Sequence, residues 1–252
     1  MMRVIQGGKD AFKGVGLADY IWLDAAGMLH VKKFSVYVME SLESGTPVPI
    51  PILEAKTVSL GLVSFVLSPC HYLADPLRGE NHFVVLCEPR LETGTATSFN
   101  TRAVLRNQME KHGDPLGTWW GYRQGYRFTA PTVTGELFLA AERHLCCCMD
   151  AGIPLYSGQV DDPNGNWNFK IGPRKFPHSI DVDPPSAAVM PDFLIFSRYF
   201  LEKIAREQGY AVEFSSCSVF LSTEETRDGK LKTSEMASVL SVSYTHLTLP
   251  TR

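Results

Sequence analysis

The stretch that most constrains this chain is Trp119–Phe128, WWGYRQGYRF. Its side chains alternate. In an extended strand Tyr122, Gln124 and Tyr126 fall on one face, and Arg123, Gly125 and Arg127 on the other. One face suits a core. The other puts a bare glycine between two arginines, which is an odd thing for a half-buried strand to present. Helical periodicity lies on both sides. SFNTRAVLRNQMEKHG predicts a helix capped by Ser98 or Asn100, with Val104, Leu105 and Met109 on its apolar face and Gly113 as its stop. TGELFLAAERHLCCCMDAG predicts a second amphipathic helix ended by Gly152.

Further strands and turns surround this unit. YIWLDAAGMLHVKKFSVYV (Tyr20–Val38) predicts a β-hairpin about the DAAG turn. SGTPVPIPILEAK carries prolines at alternating positions, which confines it to an extended segment or a sheet edge. LGLVSFVL (Leu60–Leu67) predicts one short apolar strand, PCHYLADPLRGENH a polar loop, and FVVLCEP (Phe83–Pro89) a buried strand. Beyond the second helix come short strands at PLYSGQV and GNWNFKIGP, joined by a DDPNG turn, and then a Pro-rich loop, RKFPHSIDVDPPSAAVMP. DFLIFSRYFLEKIAREQG predicts a third helix, opened by Pro191 and Asp192 and closed by Gly209. YAVEFSS predicts another strand. The chain is a mixture of hairpins followed by alternating strands and helices, with a polar linker near Leu91–Ser98.

At 252 residues and 44% hydrophobic content there is enough apolar material for a substantial core. A net charge of −3 gives no strong pull toward nucleic acid or an anionic membrane. The most apolar runs, Leu60–Leu67 and Phe193–Ile204, are too short or too interrupted to span a bilayer, and the N-terminus lacks the apolar run of a signal peptide. The six cysteines, Cys70, Cys87, Cys146, Cys147, Cys148 and Cys217, follow no framework spacing. They predict free thiols in a reducing, cytoplasmic compartment.

Several segments, taken in order from about Ala18 to Thr223, resemble the glutamine synthetase family. YIWLDAAG is similar to that family's first hairpin, ADPLRGENHFVVLCEP to its aspartate–proline–aromatic–arginine loop and the strand after it, and TRAVLRNQME to its linking helix. WWGYRQGYRF stands where the family has Gly-x-Glu-x-Glu-Tyr. ERHLCCCMDAGIPLYSGQV resembles the helix and glycine-turned strand that follow, and NGNWNFKIGP resembles Trp-Glu-Phe-Gln-(Ile/Val)-Gly-Pro. Asp192, Leu194, Arg198 and Tyr199 match the next helix, and SSCSVFLST resembles a worn Gly-Ala-Gly-x-His-x-Asn-x-Ser-Thr. The resemblance implies a reaction in which ATP phosphorylates glutamate and ammonia displaces the phosphate. Magnesium or manganese neutralises the phosphates, and these hard ions take carboxylate oxygens.

Carried over one at a time, the family's functional positions are changed here. The two glutamates of Glu-x-Glu fall on Arg123 and Gly125. The glutamate of Gly-Glu-Val falls on Gln159, and that of Trp-Glu-Phe on Asn168. The histidine and asparagine of His-x-Asn fall on Ser218 and Phe220. The interval from Val38 to Cys70, where the family's Asn-Phe-Asp-Gly-Ser-Ser should lie, contains no aspartate, and EFSSC runs across the place of the glutamate-binding stretch. Gln159 and Asn168 keep carboxylate shape without charge. Arg123 puts a cation where a cation would bind; two unit charges about 4 Å apart repel by roughly 4 kcal/mol at an effective dielectric near 20, and a dication about doubles this. The scaffold residues Gly121, Tyr126, Trp167, Phe169, Ile171, Gly172 and Pro173 remain.

Other clusters have plainer readings. Arg123 and Arg127 could hold an anion, but no glycine-rich phosphate loop accompanies them, which favours ordinary solvated or ion-paired arginines. His144 with Cys147 or Cys148 could share a helical face as soft-metal ligands; without a second ligand pair, buried inert thiols are the better reading. Asp181 and Asp183 in DVDPP, and Asp161 and Asp162 in DDPNG, read as turn residues, with one weak metal contact from Asp161 or Asp162 as the alternative.

The expected fold is α+β: a β-grasp-like domain over 17–95, then an incomplete glutamine-synthetase-type catalytic domain over 96–240, an antiparallel sheet backed by helices. The tail 241–252 (SVSYTHLTLPTR) resembles nothing in the family and is expected to be unrelated to the fold. The expected function is that of a glutamine synthetase homologue without metal site or catalysis. It requires no cofactor (the family uses magnesium or manganese with ATP), and it self-associates or joins intact family members. An active ATP-dependent glutamate or amine ligase with an altered site, and an anion or small-molecule binding module, are the alternatives.

Overall fold

The computed structural model describes residues 10–41, 47–50, 56–60, 63–98, 100–112, 119–130, 134–172, 189–222 and 239–240. They fall into two compact units, 1–22 with 30–95 and 23–29 with 96–252.

The first unit is one six-stranded sheet. Its strands are β1 (Asp10–Leu23), β2 (Leu29–Ser41), β3 (Pro47–Ile50), β4 (Lys56–Leu60), β5 (Val63–Ala74) and β6 (Phe83–Arg90), in the order β3-β2-β1-β6-β5-β4. β1 and β6 run parallel, Ala18 opposite Phe83, while β2–β3, β4–β5 and β5–β6 are antiparallel. The sheet is mixed, and no helix occurs among the described residues of this unit. Tyr20, Trp22, Phe65, Leu67, Phe83 and Val85 are buried in one core cluster. Between Ala18 and Tyr20, the alternation turns Asp19 the other way. Its carboxylate is buried and accepts from Arg78 Nη1 and Nη2 at 2.7 and 2.6 Å and from Lys33 Nζ at 2.7 Å. Asp75 shapes the loop that delivers Arg78, accepting from the Leu77 amide at 3.2 Å. A bidentate guanidinium is the geometry that compensates a desolvated carboxylate best.

Some local expectations are corrected here. Leu60–Leu67 is not one strand but parts of two: Leu60 of β4 pairs with Val63 of β5, and residues 61 and 62 lie outside the described set. The segment from Pro69 to Ala74 is strand rather than loop. It pairs with β6, and a bulge between Pro69 and His71 absorbs Cys70. The proline segment does sit at an edge, with β3 pairing only β2.

The second unit contains α1 (Thr101–His112), β7 (Trp119–Phe128), α2 (Gly135–Asp150), β8 (Leu155–Gln159), β9 (Trp167–Ile171), α3 (Met190–Glu207), β10 (Val212–Ser222) and β11 (Val239–Leu240). Its sheet runs β11-β10-β7-β9-β8, antiparallel throughout. Asn100 caps α1, accepting from the Ala103 amide at 3.1 Å. On that helix Ala103 and Leu105 are buried but Val104 is exposed, because consecutive helical residues point about 100° apart. α3 begins at Met190 with Pro191 in its first turn, and its long apolar stripe includes Leu194, Phe196, Phe200 and Ile204. β10 runs on through Ser222, beyond the strand expected at YAVEFSS. Paired residues before and after Ser215 and Ser216 shift register, so a bulge lets the strand run on. No described helix is long and apolar enough to cross a membrane. The Pro-rich segment with Asp181 and Asp183, the Met109 and Phe220 side chains, and the tail 241–252 lie outside the described residues.

Candidate functional site

The alternation of β7 divides its sheet as the sequence implies. Tyr122, Gln124, Tyr126 and Phe128 are buried, whereas Arg123 and Gly125 are half-buried and Arg127 is exposed. The inner face meets the helices. The Tyr126 ring lies 6.3 Å from that of His144 on α2 and 6.0 Å from that of Phe169 on β9. Gly158 of β8 faces α2 so closely that a Cβ would fall 2.6 Å from the Leu145 side chain and would have to push its methyls aside.

Beneath the outer face sits a buried polar clamp. Arg198 of α3 donates to the Gln124 amide oxygen through Nε (3.0 Å) and Nη2. The Gln124 amide nitrogen donates to the carbonyls of Gly125 (2.6 Å) and Ser215 (3.1 Å), the latter in the β10 bulge. One side chain thus satisfies a backbone irregularity and anchors a helix to the sheet. Arg102 of α1 makes a second anchor, donating to both oxygens of buried Asp192 at 2.8 and 2.9 Å.

The outer face is where the predicted site residues converge. Cross-strand pairing puts Gly125 opposite Asn168, and Asn168 opposite Gln159, in one row over three strands. The Asn168 amide nitrogen donates to the Gln159 amide oxygen at 3.0 Å. One row along, Arg123 stands opposite Lys170 on β9 and opposite Ser218 on β10, and Lys170 stands opposite Ser157 on β8. Arg127 is not part of this row. Its guanidinium pairs with Glu213 at 2.6 Å, and both side chains are more than half exposed. Arg123, Gly125, Gln159, Asn168 and Ser218 therefore do come together, while Phe220 is placed only by its backbone, opposite Gly121.

Lys170 was missed by sequence reasoning. The signal was present: it lies two residues from Asn168 in the same strand, hence on the same face.

This arrangement does not suit a hard dication. The two rows offer amides, hydroxyls, a guanidinium and an ammonium, and no carboxylate. The Asn168–Gln159 bond itself depends on the absence of charge, since two ionised carboxylates at that separation would repel unless a cation lay between them. Among the described residues no group of three or more His, Cys, Asp or Glu side chains is placed to hold a metal. Asp162 is engaged in its own turn, accepting from the Asn164 amide at 2.8 Å, and Asp161 is exposed.

The His144 and cysteine cluster is likewise inert. His144 Nε2 lies 3.0 Å from the Ser197 carbonyl and 3.3 Å from Cys148 Sγ, all buried. Burial lowers the His144 pKa to about 4, against the opposing bond to Ser197, and burial pushes the Cys148 thiol far up. Cys217 is raised to about 11 by burial, with Arg198 opposing. No thiolate nucleophile or metal ligand is available there near neutral pH.

No protein-family profile matches the chain. Individual proteins do. The glutamine synthetase of Neurospora crassa is 26% identical over 227 residues, covering 79% of this chain and 59% of that protein. That of Debaryomyces hansenii is 26% identical over 261 residues, covering 89% and 67%. The chain is a homologue of glutamine synthetases. The chloroplastic glutamine synthetase of Chlamydomonas reinhardtii is 26% identical over 175 residues and is covered over 43% of its length. This homologue therefore spans roughly half to two-thirds of the length of these relatives. Its fold is similar to a solved structure of apo GmaS without ligand, at a TM-score of 0.56 and 12% identity, covering 85% of this chain and 55% of that one.

Proposed function

We propose that this chain is a non-catalytic member of the glutamine synthetase group, keeping a β-grasp-like N-terminal unit and the sheet-and-helix scaffold of the catalytic unit without its metal chemistry. One observation carries this reading. Four positions that the family resemblance aligns with metal-binding glutamates, Arg123, Gly125, Gln159 and Asn168, lie together on the outer sheet face, where a single amide–amide hydrogen bond stands beside a positive charge. Neutral amide oxygens are much weaker ligands than carboxylates for a hard dication, and Arg123 repels one.

What persists is the scaffold. Tyr126, Trp167, Phe169 and Ile171 form the aromatic and aliphatic core under the altered face. Retention of such a core alongside loss of ligands supports a role in assembly or regulation, through self-association or association with intact relatives, in the cytoplasm, where the free thiols would stay reduced. No cofactor is required for it.

The deciding assay supplies ATP, glutamate, ammonia and magnesium or manganese, and measures glutamine. We expect no turnover above a heat-denatured control. Turnover that disappears on chelation would overturn the proposal in favour of an active ligase with an altered site.

A further inference from the structure

We propose that the row Ser157–Lys170–Arg123–Ser218 is an anion site that holds a phosphate dianion directly, without a divalent cation. This rests on the reading that the outer face no longer binds metal.

The first support is an electrostatic debt. Arg123 and Lys170 are directly opposite on adjacent strands, and like charges so placed destabilise a sheet. Three other arginines of this unit are matched with acids: Arg102 with Asp192, Arg127 with Glu213, Arg143 with Glu207. Arg123 and Lys170 have no acidic partner among the described residues. Both are half-buried, so neither is free to swing wholly into solvent. A bound anion removes the repulsion between the two cations.

The second support is the chemistry of the neighbours. Ser218 stands beside Arg123 on β10 and Ser157 beside Lys170 on β8; they lie about 14 Å apart across the sheet, so one phosphate held between the two cations can take a hydroxyl bond from at most one of them. Gly125, two residues from Arg123 on the same face, adds no side chain to obstruct the approach. A planar guanidinium fork and an ammonium suit a tetrahedral oxyanion, and two positive charges match a phosphate dianion where a carboxylate would neutralise only one. In the relatives, carboxylates are expected to hold a cation that in turn meets phosphate. Here the positive charge belongs to the protein. The clamp of Arg198 on Gln124 fixes the strand beneath Arg123, so the donor row is set before a ligand arrives.

The full chain is titrated calorimetrically with inorganic phosphate, and separately with adenosine monophosphate, in the presence of EDTA. We expect saturable binding of at least one of them, weakened by added salt. Arg123→Gln and Lys170→Gln should each weaken it at least about tenfold, the loss expected for one charged hydrogen-bonding partner. Arg143→Gln, whose partner is Glu207 between the helices, should leave it unchanged. Circular dichroism verifies folding, and Lys170→Gln keeps the test decisive if Arg123→Gln does not fold. The tighter of the two ligands assigns free phosphate or phosphate ester as the source, and either supports the site. Absence of saturable binding at millimolar ligand, or equal binding by both variants and wild type, overturns the proposal. Binding that appears only with added magnesium overturns instead the metal-free reading on which it rests.

Discussion

Replacing Asp192 by alanine removes one side of the anchor between α1 and α3. The Asp192 carboxylate is 1% exposed and the Arg102 side chain 16%. The two make a fork of 2.8 and 2.9 Å bonds, leaving little water to take over when one partner goes. Truncating one member of such a buried pair costs about 3–5 kcal/mol, since the other charge stays desolvated and loses its bidentate partner. For a chain of this size that lowers the melting temperature by roughly 6–20 °C, at about 2–4 °C per kcal/mol. Replacing both partners, Arg102→Met with Asp192→Leu, leaves no orphaned charge and is expected to be neutral or stabilising. Urea unfolding of wild type, both single variants and the double variant, followed by circular dichroism, gives the full cycle. A cost below about 1 kcal/mol for Asp192→Ala would mean the pair behaves like an exposed one and would refute the reasoning. So would a double variant as unstable as the single.

Other outcomes follow from the same packing. Gln124→Leu is expected to cost about 1–3 kcal/mol, because it removes the amide oxygen that accepts from Arg198 and the donor to the carbonyl of Ser215, whereas Arg127→Ala, at an exposed pair, should cost under about 1 kcal/mol in the same urea assay. His144 is held neutral, with its pKa lowered from 6.5 to about 4. The unfolded chain takes up that proton as pH falls below 6.5 and the folded chain resists it, so stability is full above pH 6.5 and drops by about 3 kcal/mol toward pH 4. His144→Gln should flatten that slope in urea titrations across this range. A thiol-specific reagent at pH 8 should modify exposed Cys146 first, and Cys87, Cys147, Cys148 and Cys217 only on unfolding, as resolved by peptide mapping.

Much of the fold could be read from local pattern. The alternation in Trp119–Phe128, the continuous apolar run of β6, the cap at Asn100 and the closing glycines at 152 and 209 each rest on one element's own residues. The misreadings came where pairing decides. Pro69 to Ala74 carries proline, histidine and flanking polar residues, and it is strand because β6 offers it a ladder. Leu60–Leu67 reads as one apolar block, and its division between β4 and β5 is set by their antiparallel pairing. The site behaves the same way. Arg123, Gly125, Gln159 and Asn168 were found as positions, but the row they form depends on register between strands far apart in sequence. Register also revealed Lys170 opposite Arg123 and the bulge that Gln124 satisfies. The amide bond between Asn168 and Gln159 is a tertiary fact that two near-isosteric replacements could only hint at.

The claim at the centre of this account is that the outer face of the second sheet no longer holds a hard dication. A calorimetric titration of the full chain with manganese, at low ionic strength and neutral pH, tests it most directly. The account predicts no saturable heat at millimolar manganese. Binding with micromolar affinity that is lost on Asn168→Ala or Gln159→Ala would contradict it, because the metal would then be using the very face that is argued to be closed to it.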